Sequence, residues 1–164
     1  MLHDYIAIAR PDHWTKNIFV LPGILLAFYF EPSTRSYTSI IPAILAIMSC
    51  CLVASSNYVI NEILDGPTDA FHPIKKNRPI PSGRVKLAPA WAIWGLLALS
   101  GFALAFAVNR NTGFTVLLLW IMGIIYNVKP LRFKDKAYLD VLTESANNPI
   151  RLCIGWFSIG IQYP

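Results

Sequence analysis

The sequence predicts an all-α fold, a multi-pass transmembrane helical bundle with five helices, and three observations predict it. Of 164 residues, 55% are hydrophobic and 14% charged, with a mean hydropathy of +0.48, whereas roughly a quarter of a soluble domain is charged. The apolar residues gather into five long runs separated by polar turns or loops. Nearly all of the fourteen Lys and Arg residues fall in alternate connections, the signature of a chain threaded back and forth through a bilayer. Cys50, Cys51 and Cys153 lie inside apolar runs, without the spacing of a zinc site or a disulfide framework, and read as small core residues.

Residues 1–13 form a short amphipathic lead ended by Pro11, suited to the headgroup layer. Its Asp4, Arg10 and Asp12 precede any apolar run, so it does not read as a cleavable signal. The first span is expected over 14–31, with Trp14 and Lys16 at the interface, since the apolar run alone is short for a hydrocarbon core of about 20 residues. A loop over 31–36 leads to a second helix over 38–65. Asn57, Asn61 and Asp65 recur there every four residues and form one polar stripe. Pro67 should end this helix near Asp65 and leave Asp69 on the following loop. The third helix, 88–108, opens with Pro89, Trp91 and Trp94; after the turn at 109–113 the fourth covers 112–129 and the fifth 137–161.

Arg10 and Lys16, then Lys75, Lys76, Arg78, Arg84 and Lys86, then Lys129, Arg132, Lys134 and Lys136 fall on one side. Arg35 and Arg110 fall on the other. The N-terminus and both basic loops are therefore expected in the cytoplasm. The net charge of +5 calls for no nucleic acid; anionic headgroups and phosphorylated substrates account for it.

Two stretches carry chemistry. In the fifth helix Asp140, Glu144, Asn148 and Arg151 fall within an arc of roughly 80° at 100° per residue, and ionisable groups in a bilayer must pair or line a wet cavity. Pairing of Glu144 with Arg151 or Asn148 would make the face a staple instead. Pro149 is expected to break this helix's hydrogen-bond ladder and free carbonyls toward the cavity. The other stretch, residues 61–79, packs acids, His72 and bases into the break between two apolar runs. Magnesium takes a few carboxylates and shares the rest of its shell with water and substrate phosphates. Asn61, Asp65 and Asp69 could supply such a set, with Lys75, Lys76 and Arg78 behind it to neutralise a departing diphosphate. Spacing alone fits equally a solvated loop whose acids and bases screen one another.

Asn61 to Asp69 reads NExxDxxxD and closely resembles the NDxxDxxxD signature of the UbiA family of intramembrane prenyltransferases, with Glu62 where the family usually has Asp. The stretch from Tyr126 to Lys134 resembles that family's YSxxPxRxK. Residues 10–17, RPDHWTKN, and 72–80, HPIKKNRPI, are similar to RPxxWxKN and HPxKxxRPI of its decaprenyl-phosphate phosphoribosyltransferase branch.

The resemblance implies a bundle around a central cavity, where two acidic motifs face each other over Mg2+ and a diphosphate-containing substrate. It implies that Asn61, Asp65 and Asp69 bind metal and diphosphate and that Lys75 and Arg78 meet phosphates. Lys16, Tyr126, Lys134 and Arg151 are expected to bind substrate. The implied reaction transfers a prenyl group or, in the suspected branch, 5-phosphoribosyl from phosphoribosyl diphosphate to polyprenyl phosphate; membrane lipid and the polyprenyl substrate are the expected partners.

The family typically has nine spans and a second acidic motif past the fifth or sixth, which this sequence does not show. The expectation is an N-terminal portion lacking a C-terminal half, with a split protein or an inactive remnant as alternatives. A non-catalytic membrane scaffold or lipid-binding remnant is the competing function. A transporter coupling through Asp140, Glu144 and Arg151 would explain the buried charges but not residues 61–79.

Overall fold

A computed structural model describes residues 2–161 and 163; Met1, Gln162 and Pro164, at the ends of the expected 1–164 portion, lie outside it. The chain forms α1 (Leu2–Ala7), a 3-10 segment (Pro11–Phe19), α2 (Val20–Phe30), α3 (Ile40–Asp69), α4 (Leu87–Val108), α5 (Arg110–Asn127) and α6 (Leu139–Ser158). No strand occurs among the described residues. The fold is the expected helical membrane bundle, and α3 and α4 are each long and apolar enough to cross a bilayer.

The first span differs from the expected continuous helix over 14–31. Nine residues of 3-10 helix precede the eleven of α2. Because a 3-10 helix rises about 2.0 Å per residue against 1.5 Å, the short run reaches further than an α-helix of equal length, which answers its shortage of apolar residues.

The expected end of the second span near Asp65 is corrected. α3 continues through Pro67 to Asp69. Pro67 gives up only the bond to the Ile63 carbonyl, and the last turn closes through Ala70 N–H to Gly66 O at 3.1 Å and Thr68 Oγ1 to Asp65 O at 2.9 Å. With 30 residues, α3 is about 45 Å long. It overreaches a hydrocarbon core of about 30 Å and carries its acidic end out among the basic loops. Asp69 is thus a helical residue one turn beyond Asp65. α6 also corrects an expectation, since it runs unbroken through Pro149; the one carbonyl that this proline frees belongs to Ser145.

α3 packs most extensively against α4 and also meets α5, while α6 lies between α2 and α5. The α2–α6 contact is backbone on backbone. A Cβ on Gly23 would lie 1.9 Å from the Leu152 carbonyl oxygen, and one on Gly155 2.0 Å from that of Val20, the close approach that small residues allow between membrane helices. Val20, Ile24, Cys50, Val53, Val116 and Ile154 form the main core beside this contact. Ile8, Val59, Ile63, Ile80 and Val85 form a smaller one under the loop between α3 and α4. Ile8 is fully buried there, and Asp4 accepts a hydrogen bond from Arg84 Nε at 2.9 Å, so the amphipathic lead is fastened to that loop.

Candidate functional site

The polar stripe of α3 meets the two basic loops at one end of the bundle. Asn61, Asp65 and Asp69 occupy successive turns of one helix face and line a cleft of about 450 Å³. Lys75, Arg78, Tyr126 and Lys134 line the same cleft, joined by Arg10, Thr68, Arg132 and Asp135. Bases from three separate segments therefore converge on two carboxylates.

Each carboxylate is held by two cations. Asp69 Oδ2 accepts from Arg78 Nη1 at 2.7 Å, and Lys75 Nζ stands 3.8 Å from Oδ1. Asp65 Oδ1 accepts from Lys134 Nζ at 2.6 Å and from Arg132 Nη2 at 2.8 Å. Arg132 also donates to Asp135 at 2.6 Å. Its backbone is left-handed, with φ 34° and ψ 60°, a conformation that costs an L-residue of order 1 kcal/mol. Burial of the Lys134 ammonium lowers its pKa below the ordinary 10.5, with the bond to Asp65 pulling the other way. The group is a cation held with difficulty and would be stabilised by a further anion.

The amides tie stripe to loop. Asn61 Nδ2 donates to Asn127 Oδ1 at 2.7 Å, which also accepts from Lys134 at 3.1 Å. The Tyr126 hydroxyl donates to Asp140 Oδ1 at 2.7 Å.

Other members of the charged stretch face elsewhere. Glu62 is buried on α3 beside the stripe but does not line the cleft; its Oε1 accepts from Ile80 N–H at 2.9 Å, which braces the α3–α4 loop. His72 Nδ1 accepts from the N–H groups of Ile74 and Lys75, both at 3.2 Å, and shapes the turn that presents Lys75.

Among the described residues no three His, Cys, Asp or Glu side chains come close enough to enclose a metal. Two carboxylates and an amide on one helix face nonetheless suit magnesium, which completes its octahedron with water and phosphate oxygens rather than a protein cage. The donor set fits the metal.

Lys16 and Arg151 do not line this cleft. They line a second pocket of about 320 Å³ with Phe19, Tyr58, Glu144 and Asn148. A small pocket of about 80 Å³ neighbours both, sharing Asn61 and Tyr126 with the cleft and Tyr58, Glu144, Asn147 and Arg151 with the second pocket. The pairing of Glu144 with Arg151 considered from sequence does not form: Glu144 lies 3.9 Å from Lys16, and Arg151 bonds Asn148.

Sequence reasoning did not single out Asn17, Arg132 or Asn127 as site residues. Arg132 lay inside the 126–134 motif, and Asn17 and Asn127 were legible as polar groups in or beside apolar runs, which need partners there.

A model described as the UbiA prenyltransferase family matches residues 17–164. The decaprenyl-phosphate phosphoribosyltransferase of Mycolicibacterium smegmatis is 30% identical over 160 residues, covering 94% of this chain and 48% of that protein. The nodulation protein NoeC of Azorhizobium caulinodans is 29% identical, covering 98% and 50%. A UbiA homolog from Archaeoglobus fulgidus, solved with GPP and Mg2+, superimposes with a TM-score of 0.80 at 23% identity over 98% of this chain and 56% of that one, a likeness of fold. The chain spans about half the length of the curated relatives it matches.

Proposed function

The chain belongs to the UbiA prenyltransferase family, and on that premise we propose that it supplies a diphosphate-binding face of an intramembrane, magnesium-dependent transferase. Asn61, Asp65 and Asp69 would hold the metal, which when bound neutralises charge on a diphosphate leaving group. Lys75, Arg78, Arg132 and Lys134 exchange their carboxylate partners for phosphate oxygens. Their present pairs keep them aimed at the cleft, so little reorganisation precedes binding. Tyr126, fixed by Asp140, borders the far side. The basic loops, with the N-terminus, face the cytoplasm, where soluble phosphorylated substrates reside.

Within that class, the reading is transfer of 5-phosphoribosyl from phosphoribosyl diphosphate to polyprenyl phosphate, in keeping with the name of the Mycolicibacterium relative. One observation carries it: the small pocket that shares Asn61 and Tyr126 with the cleft is also lined by Asn57, Asn127 and Asn147. Buried Oδ1 atoms of Asn57 and Asn147 have no protein partner. Hydroxyls of a sugar would satisfy such acceptors, whereas a prenyl chain would leave them desolvated and unpaired.

Calorimetric titration of the chain in detergent micelles with phosphoribosyl diphosphate and with geranyl diphosphate, each with and without Mg2+, tests the reading. The expected result is magnesium-dependent binding of phosphoribosyl diphosphate, about tenfold or more tighter than the prenyl compound. Preference for the prenyl compound would turn the assignment to prenyl transfer. Binding of neither would favour a non-catalytic scaffold.

A further inference from the structure

Arg151 poses a problem that the diphosphate cleft does not solve. It lies thirteen residues into the twenty of α6 and is 9% exposed. Its Nε donates to Asn17 Oδ1 at 3.0 Å and Nη1 to Asn148 Oδ1 at 3.3 Å. Both partners are neutral amides, and no described carboxylate forms an ion pair with it. A guanidinium taken from water without a counter-charge costs several kcal/mol, and within a membrane bundle such a group marks a site for an anion.

The surroundings are built for one. Asn17, itself 3% exposed, fixes the guanidinium from one side and donates its own amide to Cys51 Sγ at 3.3 Å, which settles its orientation. Cα–Cβ bonds tilt toward a helix's N-terminus, so the Arg151 head reaches back to the level of Asn148, toward the basic-loop end. Lys16 stands across the same pocket, half exposed and loosely matched to Glu144 at 3.9 Å. With Lys16 and Arg151 against Glu144, the pocket carries one uncompensated positive charge. Phe19, on the same wall, is 45% exposed beside Ile18 at 61%, so an apolar tail can leave the pocket over a lipid-facing surface.

We propose that Arg151, Asn17 and Lys16 form a second anion site that takes a phosphate monoester, separate from the acid-bearing cleft, with the small amide-lined pocket neighbouring both. Arg151 supplies a planar fork and Lys16 a mobile point charge, a pair suited to a tetrahedral dianion. This deepens the transferase reading: under it the monoester is the acceptor, held in a pocket of its own apart from the donor's diphosphate. It rests on that reading for the ligand's role but not for its binding.

Equilibrium binding of a long-chain polyprenyl monophosphate to the 164-residue chain in detergent micelles, without Mg2+ or diphosphate, tests it, with inorganic phosphate and the uncharged polyprenol as parallel probes. The monophosphate should bind and the polyprenol should not. Arg151→Gln should weaken binding at least about tenfold, the loss expected of one charge-assisted hydrogen bond, while Arg151→Lys retains part of it. Lys16→Gln changes a half-exposed side chain that the fold does not need, and should also weaken binding if the site is real. Asp65→Asn should leave monophosphate binding unchanged, which separates this site from the cleft. Monophosphate binding stronger than that of inorganic phosphate assigns a lipid source, and equal binding a soluble one. Binding unaltered by both Arg151→Gln and Lys16→Gln, or lost in Asp65→Asn, overturns the proposal. Loss of magnesium-dependent diphosphate binding with monophosphate binding intact would sink the transferase reading alone.

Discussion

The end of α3 and the middle of α6 handle buried charge in opposite ways. At the end of α3 each carboxylate has two cations within 4 Å: Asp65 meets Arg132 and Lys134, and Asp69 meets Lys75 and Arg78. In α6 the one buried cation, Arg151, meets amides. The contrast separates two kinds of binding. A neutralised cluster exchanges partners when a metal and a polyanion arrive together, each base passing from a carboxylate to a phosphate. An unneutralised cation takes an anion outright. The first arrangement suits a metal-bridged diphosphate, the second a simple monoester.

The comparison can be broken at its scaffold. Gly155→Leu would drive a side chain into the Val20 carbonyl and separate α2 from α6. Overpacking at a backbone contact should cost about 3 kcal/mol or more, and thermal unfolding in detergent should show a large drop in Tm. Arg151 would then lose Asn17 as well, because the two lie on opposite sides of that contact. A protein that tolerates this change would show that α6 is not locked where Arg151 needs it.

The next largest effect falls on the acids. Asp69→Asn removes a proposed metal donor and leaves Arg78 and Lys75 without a counter-charge; magnesium-dependent binding of phosphoribosyl diphosphate should weaken about tenfold to a hundredfold. Glu62→Ala, seven residues earlier, should do something different. It strips the Ile80 N–H of its buried acceptor and should cost about 1–3 kcal/mol of stability, with binding by the remaining folded protein little changed. Glu62→Gln keeps an acceptor and should be milder still. If Glu62→Gln abolished diphosphate binding, the separation of Glu62, which braces the loop, from the acids that line the cleft would fail.

The smallest effect is titration of Lys134. Its folded pKa is lowered by burial, so the native state binds fewer protons than the unfolded chain as pH rises toward 10.5. Its contribution to stability therefore increases with pH through the window between the folded pKa and 10.5. Isotope-edited NMR of the lysine side chains should find Lys134 deprotonating below its neighbours, and a bound diphosphate should move its pKa upward. A Lys134 that titrates with the solvent lysines would mean that the cleft does not strain its cation.

Much of this was legible in the sequence. The apolar runs recur as α2 to α6, with α3 and α4 long and apolar enough to cross a bilayer, and Arg10, Lys75, Arg78, Arg132 and Lys134, drawn from three basic segments, line one cleft. The end of α3 was misread because a proline rule written for helix interiors was applied to a last turn, where Pro67 forfeits one bond and Thr68 supplies another. The consequence is chemical, since Asp69 shares a helix face with Asp65 instead of hanging from a loop. Asn17 and Asn127 were overlooked because an amide gains meaning only from what it touches, and both touch groups more than a hundred or about seventy residues away in the chain, Arg151 and Asn61. Lys16 and Arg151 read as members of one substrate site, and periodicity could not reveal that they line a pocket apart from the acids.

The central claim is that the acidic end of α3 holds a divalent metal bridged to a diphosphate. Mn2+, which shares magnesium's preference for octahedral oxygen ligands, allows a direct measurement: electron–nuclear double resonance on the chain with Mn2+ and phosphoribosyl diphosphate. The account predicts 31P couplings from phosphate bound directly to the metal, present in the native chain and in Arg151→Gln, and absent in Asp65→Asn. Couplings that persist unchanged in Asp65→Asn, or a metal with no phosphorus in its shell in the native chain, would contradict it.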